Sequence, residues 1–320
     1  MSKRNDLCDR FCDFLKFEKN RSEHTVVAYE HDIRMFFEAQ KIEEIDQQAC
    51  LSITVPTVRG WVVEVLKENN NPRSLNRYLS SVSSFYRYLI LMGICSVNPF
   101  SSIPRPRAPQ FLPSFLSEVD AERLLAEECF TPDWEGLRDR LLLLMLYTLG
   151  LRRAELVGLD WGDYNQSEYT LLVKGKRAKE RLLPVTKEVA RLLSVYRRDT
   201  EERFGVKLTP ATPLIVDNKN KRVSPAVVYW VVNRYIRAST AHKGQASPHV
   251  LRHTFATHLL KGGADIVSIK NLLGHSSLTA TQVYTHTDLQ MLKSSYQNAH
   301  PRGLTMPSST EKPPSEQEDK

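Results

Sequence analysis

A proline-rich segment is the feature that most constrains how this chain can fold. Residues 98–113, NPFSSIPRPRAPQFLP, contain five prolines. Proline fixes its own φ angle, lacks an amide hydrogen and disfavours helix in the residue before it, so this segment is expected to be extended. A chain of 320 residues also exceeds the size at which a single hydrophobic core usually stops growing. We therefore predict a first domain over residues 1–100, a linker over 101–113, a second domain over 114–300 and a disordered polar tail over 301–320.

The first domain carries a purely helical pattern. Apolar residues recur at helical spacing in four segments of residues 6–97. Ser22 and Thr54 are suited to cap the second and third helices, and Pro72 suits the first turn of the fourth. Gly93 can end that helix. Because no alternating strand pattern occurs here, we expect a small helical domain.

The second domain combines helices with a β-hairpin. Ser117 begins a capped helical segment, and the apolar run LLLLMLY at 141–147 is interpreted as a buried core helix that ends near Gly150. Two apolar segments flank a basic turn, KGKRAKE, within residues 169–186, which is typical of a hairpin. Further helices are predicted near 186–203, near 224–240 and within 248–297. The predicted fold class is mainly α with a small β-sheet.

The composition is that of a soluble globular protein with a polyanionic partner. Hydrophobic residues make up 41% of the chain and charged residues 25%. The net charge of +7 favours a partner such as DNA, because Lys and Arg gain affinity by displacing counterions from phosphates; solubility alone is the other explanation. Five cysteines without a CxxC pair argue against a disulfide framework and fit a reducing compartment. We expect a cytoplasmic protein that does not enter a membrane, because its apolar runs are too short to span one.

Six polar residues in the second domain point to one reaction. They are Arg152 in TLGLRRAEL, Lys176 in KGKRAKERL, His249 and Arg252 in SPHVLRHTF, His275 in LLGHSS and Tyr284 in ATQVYTH. Two guanidinium groups can clamp the nonbridging oxygens of one phosphate and neutralise the charge that grows in a five-coordinate transition state. A histidine can accept the proton of an attacking tyrosine, and a lysine can protonate the departing 5′ oxygen of DNA. The expected phosphotyrosyl ester keeps the bond energy, so strands can be rejoined without ATP or another cofactor.

Each of these residues also has a simpler structural interpretation. Arg152 or Arg153 could face solvent or pair with Glu155, and Tyr284 could be a half-buried packing residue. Lys176 belongs to a basic run of a kind that is usually solvated surface. The other members of that run are Lys174, Arg177, Lys179 and Arg181. Such interpretations must explain six positions separately, whereas one reaction explains them together.

The histidines of HVLRH have the i, i+4 spacing found in zinc proteases. Val250 stands where the HExxH motif has its glutamate general base, and the first acidic residue downstream is Asp265. We therefore expect no metal site.

Together these motifs resemble those of the tyrosine recombinase, or phage integrase, family. The resemblance is carried by GLR at 150–152, the hairpin lysine, HxxR at 249–252, LGH at 273–275 and the tyrosine that follows. It covers about residues 114–300, and FEKNRSEHTVVAYEHDI in the first domain resembles the family's helical, SAM-like core-binding domain. Within the family, SPHVLRHTFATHLL and AHPRG are most similar to the Xer subfamily, and YTHTDLQMLKSSYQNAHPRG to its XerC branch.

The resemblance implies a fold, partners and residue roles. A helical core-binding domain and an α+β catalytic domain would close around double-stranded DNA, and four protomers would act at a recombination site. The implied catalytic residues are Arg152 and Arg252 as phosphate ligands, Lys176 as general acid, His249 and His275 as assisting groups, and Tyr284 as the nucleophile that gives a 3′-phosphotyrosyl intermediate. Xer recombinases resolve chromosome dimers before cell division, usually with a second, XerD-type recombinase and a septal DNA translocase.

Some alternatives stay open at this point. The family hairpin often reads Gly-Lys-Gly, whereas this chain has Gly175-Lys176-Arg177, so Lys179 is a second candidate for the acid. A mobile-element or integron-type recombinase, a type IB topoisomerase and a catalytically idle DNA-binding clamp are the alternative functions.

Basic residues outside the six are candidates for contacts with DNA. Arg73 and Arg77 lie four apart on one predicted helix face, which suits a contact with the DNA backbone, although a salt bridge would suit either residue as well. The predicted DNA-contacting residues are Arg73, Arg77, Arg87, Lys174, Arg177 and Lys179.

Overall fold

The computed structural model describes residues 6–69, 71–107, 114–175, 180–274, 294 and 296–303. The chain divides into two compact units, residues 1–110 and residues 111–320. The described part is mostly helical and contains a three-stranded antiparallel sheet in the second unit. The predicted fold class, mainly α with a small β-sheet, is confirmed. No helix within these described ranges is long and apolar enough to cross a membrane.

The described residues of the first unit form five α-helices. They are α1 at Leu7–Asp13, α2 at Glu23–Ala39, α3 at Gln47–Ser52, α4 at Val55–Asn69 and α5 at Pro72–Leu91. A π-helical turn, Phe14–Glu18, continues α1. Aromatic rings fill the space between these helices: Phe36, for example, meets Trp61 edge-on with ring centroids 4.9 Å apart. Such pairs add about 0.5–1.5 kcal/mol to the burial of their area.

The helix ends of the first unit follow local sequence signals. The Asn71 side chain accepts the amide hydrogen of Arg73 at 3.1 Å, and Pro72 occupies the first turn, which fixes the start of α5. Gly93 follows α5 with φ +70, in the left-handed region that glycine adopts at low cost. The sequence predicts four helices here and misses α3, because that helix has only six residues and depends on the Asp46 cap rather than on an apolar stripe.

The second unit alternates helices with the sheet. Its elements are α6 at Glu118–Leu125, α7 at Trp134–Thr148, α8 at Arg153–Val157, β1 at Tyr164–Asn165, β2 at Thr170–Lys174, β3 at Glu180–Pro184, α9 at Lys187–Phe204, α10 at Pro225–Ser239, α11 at Pro248–Lys261 and α12 at Ile266–Leu273. Short 3₁₀ turns lie at Glu127–Cys129 and Trp161–Asp163. The helices predicted before Gly150, near 186–203, near 224–240 and within 248–274 are confirmed, and so is the hairpin of β2 and β3. The helical prediction for residues 275–293 lies outside the described part. β1 adds a short third strand.

The core of the second unit forms around α7. The apolar run at 141–147 is buried at every residue, as predicted for a core helix, and α7 packs against α9 and α11. β2 and β3 pair antiparallel, with Leu171 opposite Leu183 and Val173 opposite Arg181. Since side chains alternate between the faces of a strand, Leu183 and Arg181 share one face, and that face is buried.

Residues 296–303 pack onto the same unit. The rings of Tyr296 and His300 stack with centroids 4.7 Å apart, and the His300 ring lies 5.0 Å from that of Tyr147. Arg302, which the sequence assigns to the polar tail, pairs with Glu188 at the start of α9. The chain is therefore anchored to the second unit through residue 303, and residues 304–320 lie outside the described part.

Candidate active site

Three of the six predicted catalytic residues fall in the described part of the second unit. Arg152 immediately precedes α8, and His249 and Arg252 belong to α11. Outside the described residues lie Lys176, His275, Tyr284, Arg177 and Lys179. The observed site consists of the arginines and the groups that hold them.

Arg152 is placed by the turn between α7 and α8. Gly150 adopts φ +58 there, and a Cβ at this position would lie 2.4 Å from the ring of Phe255. The Arg152 amide donates to the Glu155 carboxylate at 2.8 Å, and its Nη1 donates to the same carboxylate at 2.6 Å. The Arg152 side chain is 37% exposed. Its guanidinium is therefore held by Glu155, while more than a third of the side chain stays accessible.

Arg252 lies one turn after His249 on α11. Its Nη1 donates to the carbonyl oxygen of Gly150 at 2.5 Å, and its Nη2 donates to that of Leu273 at 2.6 Å. Nη1 also lies 3.8 Å from the Glu155 carboxylate. His249 is exposed in the first turn of α11, on the helix face that the i, i+3 spacing shares with Arg252. The structure thus brings Arg252 to the same carboxylate as Arg152.

A third arginine completes the cluster. Arg181 of β3 is 5% exposed, and its Nη1 and Nη2 donate to the two Glu155 carboxylate oxygens at 3.1 and 2.8 Å. Glu155 itself is 6% exposed. Its carboxylate therefore lies among three guanidinium groups, one from each of three chain segments that are distant in sequence.

The three arginines also bind the end of α12. Arg181 Nε donates to the carbonyl oxygen of Leu272 at 2.9 Å, Arg252 Nη2 to that of Leu273 at 2.6 Å, and Arg152 Nη2 to that of Gly274 at 3.3 Å. The last carbonyl oxygens of a helix have no intrahelical partner and carry partial negative charge, so cations are favoured beside them. Gly274 ends the helix at φ +62. The backbone directly before His275 is thus fixed against the guanidinium groups.

Burial and charge set the ionisation of this cluster. Burial alone would raise the pKa of Glu155, but hydrogen bonds and charge attraction from Arg181 and then Arg152 bring that pKa down to about 2. Burial, with repulsion from Arg152 and Arg181, lowers the pKa of Arg252 to about 10. At neutral pH the cluster consists of three cations and one anion. This surplus of positive charge beside the partly exposed Arg152 suits an anion with several oxygens, such as a phosphodiester.

The described residues contain no group of three or more His, Cys, Asp or Glu side chains placed to hold a metal ion. The basic residue at the base of the hairpin, Lys174, is 60% exposed and pairs with Asp163 at 2.9 Å. Lys174 is therefore accessible to DNA, but a contact with DNA would compete with its ion pair to Asp163.

The predicted DNA-contacting residues of the first unit lie on α5. Arg77 donates to the fully buried Asp32 at 2.8 Å and remains 49% exposed. The salt bridge that was the alternative to a DNA contact for this residue is therefore present. Arg73 and Arg87 are exposed. These arginines present positive charge along one helix of the first unit.

Sequence reasoning missed the functional position of two residues. It treated Glu155 as a possible neutralising partner of an arginine and Arg181 as one base in a solvated run. Signals for both exist: Glu155 lies three residues after Arg152, where a side chain can reach back to the preceding amide, and Arg181 has the same strand parity as the buried Leu183.

Comparison with known protein families identifies the chain. The model of the phage integrase family matches residues 114–291, and that of the phage integrase N-terminal SAM-like domain matches residues 8–93. The chain belongs to the phage integrase family. The resemblance inferred from the motifs around Arg152 and Arg252 is therefore confirmed.

Relatives within the phage integrase family extend over almost the whole chain. The tyrosine recombinase XerC of Pelobacter propionicus is 37% identical, over 91% of this chain and 94% of its own length. The tyrosine recombinase XerD of Listeria innocua is 34% identical, over 93% of this chain and 99% of its own. Among solved structures, the Tn1549 transposon integrase in complex with transposon right end DNA has a TM-score of 0.68 at 18% identity, covering 90% of this chain and 99% of that one. This structure shares the fold.

Proposed function

We propose that this member of the phage integrase family is a site-specific tyrosine recombinase, which cuts and rejoins double-stranded DNA through a 3′-phosphotyrosyl intermediate. The observation that carries the proposal is the convergence of Arg152 and Arg252 on one buried carboxylate, Glu155, with positive charge in surplus. Relatives named tyrosine recombinase at 37% and 34% identity support it.

The two arginines hold the scissile phosphate. Arg152 is 37% exposed and is the more accessible of the two, and Arg252, 11% exposed, lies deeper. Both groups are held by hydrogen bonds to the protein before DNA arrives, so they need little reorganisation when negative charge grows on the phosphate oxygens. Glu155 keeps the guanidinium groups in place without cancelling their combined charge.

The remaining roles fall to residues outside the described part and to His249. The phenol oxygen of Tyr284 attacks phosphorus, the bond from phosphorus to the 5′ oxygen breaks, and the tyrosine becomes esterified to the 3′ phosphate. His249 and His275 assist as the phenol loses its proton, and Lys176, or Lys179 in its place, protonates the departing 5′ oxygen. A second transesterification by a free 5′ hydroxyl restores the phosphodiester and the tyrosine.

The first unit serves as the core-binding domain, with Arg73, Arg77 and Arg87 directed to the DNA backbone, and residues 114–300 form the catalytic domain. Four protomers act on two recombination sites in the resolution of chromosome dimers before cell division. This chain acts as the XerC-type member of a pair of recombinases, and its similarity to a relative named XerC at 37% identity supports that assignment. The Xer resemblance also implies activation by a septal DNA translocase.

A nicked suicide duplex that carries a recombination site tests the chemistry. Cleavage releases a short 5′-hydroxyl fragment and leaves the protein covalently attached, which denaturing gels detect as a slower band. Tyr284→Phe should abolish that band. Tyr164→Phe is the matched control, because the Tyr164 hydroxyl is buried and has no hydrogen-bond partner among the residues described; this variant should cleave as the wild type does.

The outcomes separate a recombinase from an idle clamp and from a topoisomerase. An idle clamp would shift the duplex on a native gel without any covalent band. A topoisomerase would cleave and relax supercoiled DNA but yield no products joined from two sites. Mapping the nucleotide to a side chain other than Tyr284 in the trapped adduct would overturn the proposal.

A further inference from the structure

We infer that Arg181 is a positioning residue for the phosphate-binding arginines: it fixes the Glu155 carboxylate, and through it Arg152, against the end of α12. This inference rests on the proposed function, since the reaction that it serves is phosphotyrosyl formation. Arg181 belongs to a basic run whose other members are exposed or outside the described residues. Unlike the exposed Lys174 of that run, Arg181 is buried.

The donors of Arg181 are directed to two protein groups at once. One edge of its guanidinium donates to both oxygens of Glu155, and Nε donates to the carbonyl oxygen of Leu272 at 2.9 Å. Only 5% of the side chain is exposed, so it does not reach a DNA phosphate. The planar fork of arginine makes this double contact possible, whereas a lysine can offer only a point charge.

Glu155 transmits the position of Arg181 to Arg152. Its carboxylate accepts from both the amide and Nη1 of Arg152, so the orientation of the carboxylate sets that of the guanidinium. The end of α12 lies directly against Arg181 as well, since a Cβ at Gly274 would come within 3.0 Å of Nη1. One buried cation therefore connects a phosphate ligand to the backbone that precedes His275.

Removing Arg181 changes the chemistry of Glu155 as well as its packing. Burial favours the neutral acid, and Arg181 is the strongest group that opposes it. Without Arg181 the pKa of Glu155 rises, and the carboxylate is lost as pH falls through that higher value. A protonated Glu155 is a weaker acceptor for Arg152. The Arg152 side chain therefore leaves its position at a pH where the wild type still holds it.

Among the residues that the structure describes, the charged groups that face Glu155 are Arg152 beside α8, Arg181 from β3 and Arg252 from α11. α10 also packs against α8, and Arg222 before it donates to the carbonyl of Val157 and pairs with Asp160. α7 packs there too, and its charged residues lie in its N-terminal half: Glu135, Arg138, Asp139 and Arg140.

The test measures single-turnover formation of the phosphotyrosyl adduct on the nicked duplex between about pH 5 and 8. Near pH 8 we expect Arg181→Met to be about 10- to 100-fold slower than the wild type, as for a misplaced catalytic group. On acidification the rate of this variant should fall at a higher pH than the wild-type rate does. Arg181→Lys, which keeps the charge but not the fork, should fall between the two in both respects.

Two further variants distinguish positioning from simple loss of stability. Adding Glu155→Gln to Arg181→Met removes the titrating group, so the extra acid limb should disappear. Arg138→Met is the matched control: Arg138 is 6% exposed and pairs with Asp139 at 2.7 Å, so it also loses a buried cation. This control should lower the melting temperature and leave the pH limb of cleavage where the wild type has it.

A spectroscopic measurement keeps the inference testable apart from the reaction. In ¹⁵N spectra of arginine side chains, the Arg152 guanidinium should show restricted rotation in the wild type and lose it in Arg181→Met and, less completely, in Arg181→Lys. An unchanged Arg152 signal, or a slow variant whose pH limb matches the wild type, would overturn the positioning role. Wild-type protein that forms no adduct would instead contradict the proposed function, and the Arg152 signal would still decide the role of Arg181.

Discussion

Phe255 packs against Gly150 at the turn where α7 ends. A Cβ at Gly150 would lie 2.4 Å from the Phe255 ring, and the backbone there has φ +58. Two requirements thus coincide at one residue, a left-handed conformation and the absence of a side chain. The same glycine offers its carbonyl oxygen to Arg252, so the turn that places Arg152 also receives a bond from the second arginine.

Gly150→Ala should therefore destabilise the second unit strongly. The left-handed conformation costs about 1–2 kcal/mol for a residue with a Cβ, and overpacking against the ring adds about 1–3 kcal/mol. Gly205→Ala is the matched control, because Gly205 has φ +62 but no atom within 4 Å of the added Cβ. Urea denaturation of both variants measures the difference; equal losses would mean that contact with Phe255 does not constrain the turn.

Much of the fold could be predicted from local patterns. The helices of the second unit and the β2–β3 hairpin follow from apolar periodicity, capping residues and glycine stops, all of which act over a few residues. α3 escaped because six residues with one cap carry almost no periodic signal. Arg152 and Arg252 were identified because the proposed chemistry needs paired guanidinium groups and the motifs around them are recognisable.

The positions of Arg181 and Glu155 could not be predicted in the same way. Whether a charged residue is buried depends on which segments meet it, and β3, α8 and α12 are far apart in sequence. Arg181 stands among bases that suggest a solvated surface, yet its register opposite Val173 directs it inward. Strand parity was available from the sequence, whereas the counter-charge that makes burial tolerable was not.

Glu155→Gln should destabilise the protein in a pH-dependent manner. It leaves the buried Arg181 without its counter-charge, which typically costs about 3–5 kcal/mol. The carboxylate has its pKa lowered from 4.5 to about 2, so its stabilisation is fully present above pH 4.5 and is lost as pH falls toward 2. Urea titrations at several pH values should show the wild-type free energy of unfolding falling more steeply over this range than that of the variant.

The ion pair between Glu30 and Arg34 provides the comparison for Glu155→Gln. Glu30 is 39% exposed, and Arg34 keeps Asp6 and Asp9 as partners when Glu30 is replaced, so Glu30→Gln should cost only about 0–1 kcal/mol. A Glu155→Gln variant as stable as Glu30→Gln would contradict the central place given to Glu155.

Arg152→Lys should slow cleavage while leaving DNA binding nearly intact. A lysine cannot reproduce the bidentate contact with phosphate, and loss of one group that stabilises transition-state charge costs about 10²–10³ in rate. Single-turnover cleavage and a gel-shift titration on the same duplex separate the two effects. Arg153→Lys is the adjacent control, since Arg153 is exposed and should keep the wild-type rate. A slow Arg153→Lys variant beside an Arg152→Lys variant with the wild-type rate would show that Arg153, and not Arg152, binds the phosphate.

His300→Phe should make stability less sensitive to acid. Burial, together with repulsion from His258 and Arg302, lowers the pKa of His300 to about 3 from an ordinary 6.5. The unfolded chain therefore binds more protons between these values, and the wild type loses stability as pH falls below 6.5. Linkage gives a loss of about 2 kcal/mol from this residue between about pH 7 and pH 5. A phenylalanine keeps an aromatic ring beside those of Tyr147, Phe255 and Tyr296 and cannot titrate, although it loses the contacts of His300 Nδ1 with the Tyr296 hydroxyl and the Arg302 amide. Urea titrations at the two pH values should show the smaller loss for His300→Phe, whereas His24→Phe, at an exposed position of α2, should match the wild type.

If all three proteins lose the same free energy on acidification, His300 is protonated in the folded state and the anchor at 296–303 is not buried as described.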